Sequence, residues 1–91
     1  MTEKKFPFGI ETINAIEEHT PTPFHIYDEA GILDNARRLS DAFSWNKGFK
    51  NYFAVKATPT PAIIRLLKTV GSGVDCSSMP ELIIAERCGV T

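Results

Sequence analysis

Apolar residues at Ile10, Ile13 and Ile16 recur every third position within GIETINAIEEH and predict a short helix over 9–19. The TPTP run at 20–23 ends it, because each proline restrains the residue before it and brings no amide donor. FHIY at 24–27 alternates weakly in aromatic and β-branched residues and predicts a short strand. A second helical stripe follows at Leu33, Ala36, Leu39 and Phe43, with Asp28 placed to cap its start. Gly31 weakens that helix by roughly 1 kcal/mol relative to alanine.

SWNKGFKN at 44–51 reads as a loop and YFAVK at 52–56 as a second strand. Thr60 and then Pro61 form an N-cap followed by proline at the first helical position, and Ile63, Ile64, Leu66, Leu67 and Val70 continue the helix. Gly71 suits the left-handed residue past its end. GVDCS at 73–77 is a third strand; Ser78 with Glu81 has the S-x-x-E spacing of a capping box, opening a last helix that Gly89 closes. One helix followed by three strand–helix pairs predicts an α/β fold with a parallel sheet. The 19 positions from Lys56 to Asp75 suffice for one helical crossover. No strand follows the last helix, so the sheet is expected to belong to a larger one.

Composition narrows the function without naming it. The chain is 43% hydrophobic and 23% charged, with a net charge of −1, so nothing suggests a nucleic-acid or membrane surface. No apolar run reaches about 18 residues, and the N-terminus lacks the apolar stretch of a signal peptide. Two cysteines, Cys76 and Cys88, are too few for a disulfide framework and match no zinc spacing. A reduced, cytoplasmic chain without a metal is expected, and His19 and His25 have no ligand-like neighbours.

Lys56 is the position that asks for chemistry, since it closes an otherwise apolar strand. Alternation places Tyr52, Ala54 and Lys56 on one face and Phe53 and Val55 on the other. In the next strand Gly73, Asp75 and Ser77 oppose Val74 and Cys76. With Phe53, Val55, Val74 and Cys76 under the helices, the face bearing Ala54, Lys56, Asp75 and Ser77 is the open one. Lys56 and Asp75 then share the carboxyl edge of the sheet, where α/β folds bind ligands. Pattern alone leaves Lys56 open between a solvated strand end and a reactive amine. It leaves Asp75 open between a cap and a catalytic group, and it explains Glu81 through the capping box. Gly71-Ser72-Gly73 suits either a phosphate cradle or a plain helix–strand turn.

Three segments together are more specific. TPFHIYDEAGILDNARRLSDAF, YFAVKA and GSGVDCSSMPELIIAERCGV, at these mutual distances, resemble the N-terminal part of the fold-type III pyridoxal-phosphate decarboxylases, with residues 1–20 matching least distinctively. That group includes diaminopimelate, ornithine and arginine decarboxylases. The resemblance implies that Lys56 bonds covalently to the aldehyde of pyridoxal 5'-phosphate, and that Ala54, Asp75 and Glu81 lie close to the cofactor. A lysine acts as a nucleophile in its neutral form, which a partly buried site favours. Racemases of the same barrel fold usually continue the lysine strand as KANAYGHG, whereas KATPTPAIIRLL here favours a decarboxylase. Thr58 replaces the usual asparagine after KA.

The implied fold is the N-terminal portion of a pyridoxal-phosphate-binding (β/α)8 barrel, an alanine-racemase-like fold that takes about 250 residues and is incomplete in a chain of this length. Residues 1–27 are then an N-terminal helix and a strand belonging to the family's β domain, and residues 28–91 the first β/α units of the barrel. TPFHIYDEAGI inclines the substrate toward meso-diaminopimelate, decarboxylated to L-lysine, with ornithine or arginine as the alternatives. A homodimer is implied for the full-length protein. A reading from another class is a stand-alone α/β interaction module with Lys56 on its surface.

Overall fold

Helix starts and stops fall where capping chemistry puts them. The computed structural model describes residues 5–90, so the first four residues of the expected 1–27 segment and Thr91 lie outside the described residues. Helix α1 spans Ile10–Glu17, with Ile13 and Ile16 half-buried and Ile10 exposed. Helix α2 spans Glu29–Ala42, and Asp28 Oδ1 accepts from the Gly31 amide at 3.1 Å, as a cap should. A Cβ at residue 31 would meet Asp28 Oδ2 at 2.6 Å, so the glycine that weakens the helix also leaves room for its cap. Leu33 and Ala36 are half-buried, but Leu39 and Phe43 at the far end of the stripe are exposed.

The expected strand at 24–27 does not form in this chain; those residues run without a ladder partner. The reason is physical: a strand needs a neighbour to hydrogen-bond, and the two described strands take each other.

Those strands are β1, Tyr52–Ala54, and β2, Gly73–Asp75. They are parallel, with Tyr52 opposite Gly73, Phe53 opposite Val74 and Ala54 opposite Asp75. Helix α3, Pro61–Lys68, connects them, and α4, Met79–Arg87, follows β2. Thr60 is the N-cap residue of α3 as expected, yet its side chain makes no capping bond. Both strands are two residues shorter than the spans 52–56 and 73–77 expected for them. After Ala54 the chain tightens into a 3₁₀ turn, Val55–Ala57, closed by the Thr58 amide on the Val55 carbonyl at 3.1 Å. After Asp75 it bends toward the Ser78 cap.

Gly71, at φ +83°, ends α3 with two bonds: its own amide reaches the Lys68 carbonyl at 3.0 Å and the Ser72 amide reaches the Leu67 carbonyl at 3.2 Å. Gly89, at φ +81°, repeats the device for α4 through Glu86 and Ala85. Both are Schellman ends, which a left-handed glycine completes without a Cβ penalty.

The core is small and lies between the sheet and α3 and α4. Val55, Ile64 and Cys88 are buried together, with Val74, Cys76, Ile84 and Val90 packed at its margin. Burying Val55 and Ile64 stabilises the fold by about 2 kcal/mol each. Val55, Val74 and Cys76 therefore face the helices, as alternation requires. Phe53 is half-buried and lines an open hollow with Ile32, Ile63 and Leu67. Tyr52, Lys56, Asp75 and Ser77 are exposed and Ala54 is half-buried. Among the described residues no helix is long and apolar enough to cross a membrane.

Candidate functional site

The carboxyl edge of the sheet gathers the residues that alternation assigned to it, with one change of geometry. Lys56 lies in the 3₁₀ turn two residues beyond β1, not at the last position of a strand. Its side chain is exposed, so the partial burial expected of a reactive lysine is not supplied by this chain. The physical cause is a sheet of two strands, which leaves the face bearing Ala54 and Asp75 without a covering layer.

Glu81 shows the strongest local engineering of the edge. It is 9% exposed, the only buried charged side chain among the described residues. Oε2 accepts from the Ser78 hydroxyl at 2.5 Å and Oε1 from the Ser77 amide at 3.3 Å. The Glu81 amide returns to Ser78 Oγ at 3.5 Å, a long contact. The Ser78 hydroxyl holds the Glu81 carboxyl below its usual range; burial opposes this, while the Ser77 and Lys56 amides and the Lys56 ammonium reinforce it. Glu81 is thus an ionised carboxylate at neutral pH, in electrostatic reach of residue 56.

Asp75 ends β2 directly opposite Ala54. It is exposed and lines an open hollow with Val74, Cys76, Leu82 and Ala85; Lys56 is not among the residues of that hollow. Cys76 is half-buried, and its thiol is pushed above its ordinary range by burial first, then by Glu81 and Asp75.

Gly71-Ser72-Gly73 lies at the amino end of β2, whereas Lys56 follows the carboxyl end of the parallel strand β1. A phosphate cradle there would be at the wrong edge. The Schellman end accounts for Gly71, and at Gly73 a Cβ would meet the Tyr52 ring at 2.8 Å, so close strand packing accounts for the second glycine.

The contact from Ser78 to Glu81 is legible in the S-x-x-E spacing. The Ser77 amide as a second donor is not, because it depends on how the chain bends between β2 and α4. The donor set fits an aldehyde cofactor at one end: an exposed primary amine, a fixed carboxylate in electrostatic reach of it, and at Ala54 a side chain no larger than methyl.

Comparison with known proteins agrees with this chemistry. Residues 29–91 match the family model for the pyridoxal binding domain of pyridoxal-dependent decarboxylases. Protein TabA of Pseudomonas amygdali pv. tabaci is 58% identical over 69 residues, covering 76% of this chain and 16% of that protein. A diaminopimelate decarboxylase of Methanothermobacter thermautotrophicus is 35% identical over 82 residues, 89% of this chain and 19% of that enzyme. An ornithine decarboxylase of Leishmania donovani is 33% identical over 60 residues, 66% of this chain and 8% of that enzyme. The chain thus spans less than a fifth of the length of these three relatives. No solved structure matches it.

Proposed function

This chain belongs to the pyridoxal-dependent decarboxylases, and from that membership we propose that it is the lysine-bearing part of an amino-acid decarboxylase acting on meso-diaminopimelate. The family's cofactor is a pyridoxal, taken here as pyridoxal 5'-phosphate. Lys56 holds it through Nζ, and Ala54, Asp75 and Glu81 border it. The single observation that carries the reading is the placement of Lys56: an accessible amine just past the carboxyl end of β1, at the edge where Asp75 ends the paired strand β2.

When bound, the cofactor supplies an electron sink for the pair left on the α-carbon as carbon dioxide departs. The chain's own residues do the rest. The 3₁₀ turn carries Lys56 off the strand line and presents its amine to the open side. Ala54 leaves that side free of bulk. Glu81, held below its usual range by the Ser78 hydroxyl, stays ionised at neutral pH. Asp75 adds a second negative charge along the same edge.

Diaminopimelate as substrate is supported by the Methanothermobacter relative so named, at 35% identity. An ornithine-type substrate is the second reading, favoured by the ornithine decarboxylase at 33%. The barrel, of which β1 and β2 are two staves, a homodimer and a cytoplasmic location complete the proposal; two unpaired cysteines suit a reducing compartment.

The test is borohydride reduction of the full-length protein with pyridoxal phosphate, followed by peptide mapping. A stoichiometric adduct on Lys56 is expected, and an adduct only on other lysines would refute the assignment. Carbon dioxide release from meso-diaminopimelate exceeding that from ornithine supports the first substrate; the reverse order selects the second.

A further inference from the structure

We propose that the amino edge of the sheet carries a second ligand site, in which Lys50 and Lys68 take a small phosphate oxyanion. The inference stands apart from Lys56, which follows the opposite edge.

Two lysines from different parts of the fold line one hollow of about 210 Å³ there. Lys50 lies two residues before β1, and Lys68 is the last residue of α3. No carboxylate lines this hollow. The sequence prepares that imbalance: between Asp41 and Asp75 it holds Lys47, Lys50, Lys56, Arg65 and Lys68 and no acidic residue. Asp75 and Glu86 line an adjoining hollow that shares Lys50 but not Lys68, so Lys68 is the cation particular to this site.

Both lysine side chains are laid against glycines. A Cβ at residue 89 would meet Lys68 Nζ at 2.9 Å, and one at residue 73 would meet Lys50 Cε at 3.0 Å. The space that brings each lysine to the hollow is therefore space that another residue type would fill. Lys50 Nζ also lies 5.5 Å from the centre of the Tyr52 ring, within cation–π range, which restrains the ammonium without neutralising it. Two like charges on one hollow repel, and an anion between them turns that repulsion into two attractions. Lysine binds phosphate as a point charge, so no forked geometry is needed.

The turn between the lysines is not the donor. The amides of Gly71, Ser72 and Gly73 are already bonded to the carbonyls of Lys68, Leu67 and Asn51. Recognition falls to the two ammonium groups, which makes it sensitive to salt. A lysine that only complements the carbonyl end of its helix would sit here too, but it would not respond to phosphate.

The test is a footprint. The full-length protein is labelled with acetic anhydride in phosphate-free buffer, with inorganic phosphate or glycerol 3-phosphate added and ionic strength held constant by sodium chloride. Peptide mapping follows Lys50, Lys68, Lys56 and the exposed Lys47. Labelling of Lys50 and Lys68 is expected to fall saturably, about threefold with ligand at twice its Kd, while Lys47 is unchanged. Lys68→Gln removes the protection of Lys50, and Lys50→Gln removes that of Lys68. Protection by inorganic phosphate at least as strong as by the ester assigns the free ion; stronger protection by the ester assigns the phosphoryl group of a larger molecule. Unchanged labelling of Lys50 and Lys68, equal slowing at Lys47, or protection of Lys56 alone overturns the proposal. So does protection of Lys50 that survives Lys68→Gln.

Discussion

At residue 81 one carboxylate answers to three neighbours, and its pH behaviour follows. Its folded titration lies below the ordinary value of 4.5 because the Ser78 hydroxyl favours the charged form. A group depressed on folding contributes stability that is complete above the unfolded value and is lost as pH falls through the folded one. Glu81→Gln is therefore expected to flatten the acid limb of a stability profile below about pH 4.5, read by urea midpoints across that range. Cys76 gives the opposite sign. Its thiol is raised by burial and by two carboxylates, so thiolate is scarce near neutrality. Iodoacetamide should alkylate it more slowly than an unperturbed cysteine, and Glu81→Gln should speed the reaction; an unchanged rate would remove Glu81 from the thiol's surroundings. The lysine itself was legible in YFAVKA. Pattern left it open between a solvated strand end and a partly buried amine, because burial depends on what covers the strand face; in this chain it is exposed.

At the scale of elements, turn chemistry was the most readable layer. Asp28, Pro61, Ser78, Gly71 and Gly89 each mark the boundary their residue type predicts. Gly71→Ala would force a Cβ into the left-handed region at a cost of about 1–2 kcal/mol, seen as a lower urea midpoint. Ile64→Ala should cost more, about 2–5 kcal/mol, since its side chain is 1% exposed and anchors a core of few residues. If the alanine at 71 proves the more damaging of the two, the packing account of this core is wrong. Strand lengths were less readable. Expected strands of five residues formed over three: Val55 buries equally well in a 3₁₀ turn, which periodicity does not separate from a strand, and after Asp75 the chain bends toward the Ser78 cap.

For the whole molecule, shape carries the argument. The Cα radius of gyration is 15.7 Å, against about 12 Å for a compact domain of this length. The accessible surface is 7304 Å², against about 5,300 Å² for a compact monomer of this mass. The excess includes Met79, Leu82 and Ile83 along α4 and the free edges of a two-stranded sheet. A helix apolar on both sides, like α4, belongs between two layers. The 91-residue chain expressed alone is therefore expected to self-associate with concentration by light scattering, and to show no decarboxylase turnover. A monomer with a sharp cooperative melt would favour the interaction-module reading instead.

The order of the four helices, the caps at both ends of α4, the lysine of YFAVKA and the S-x-x-E spacing of Ser78 and Glu81 are local facts. Propensity, capping and motif spacing act over a few residues, so the chain alone determined them. Tertiary structure decided the rest: that 24–27 stays unpaired, that Lys56 leaves the strand in a turn, and that Ser77 joins Ser78 on Glu81. Each of these depends on which backbone groups find partners across the sheet, and pairing between distant segments is not encoded in the period of any single one.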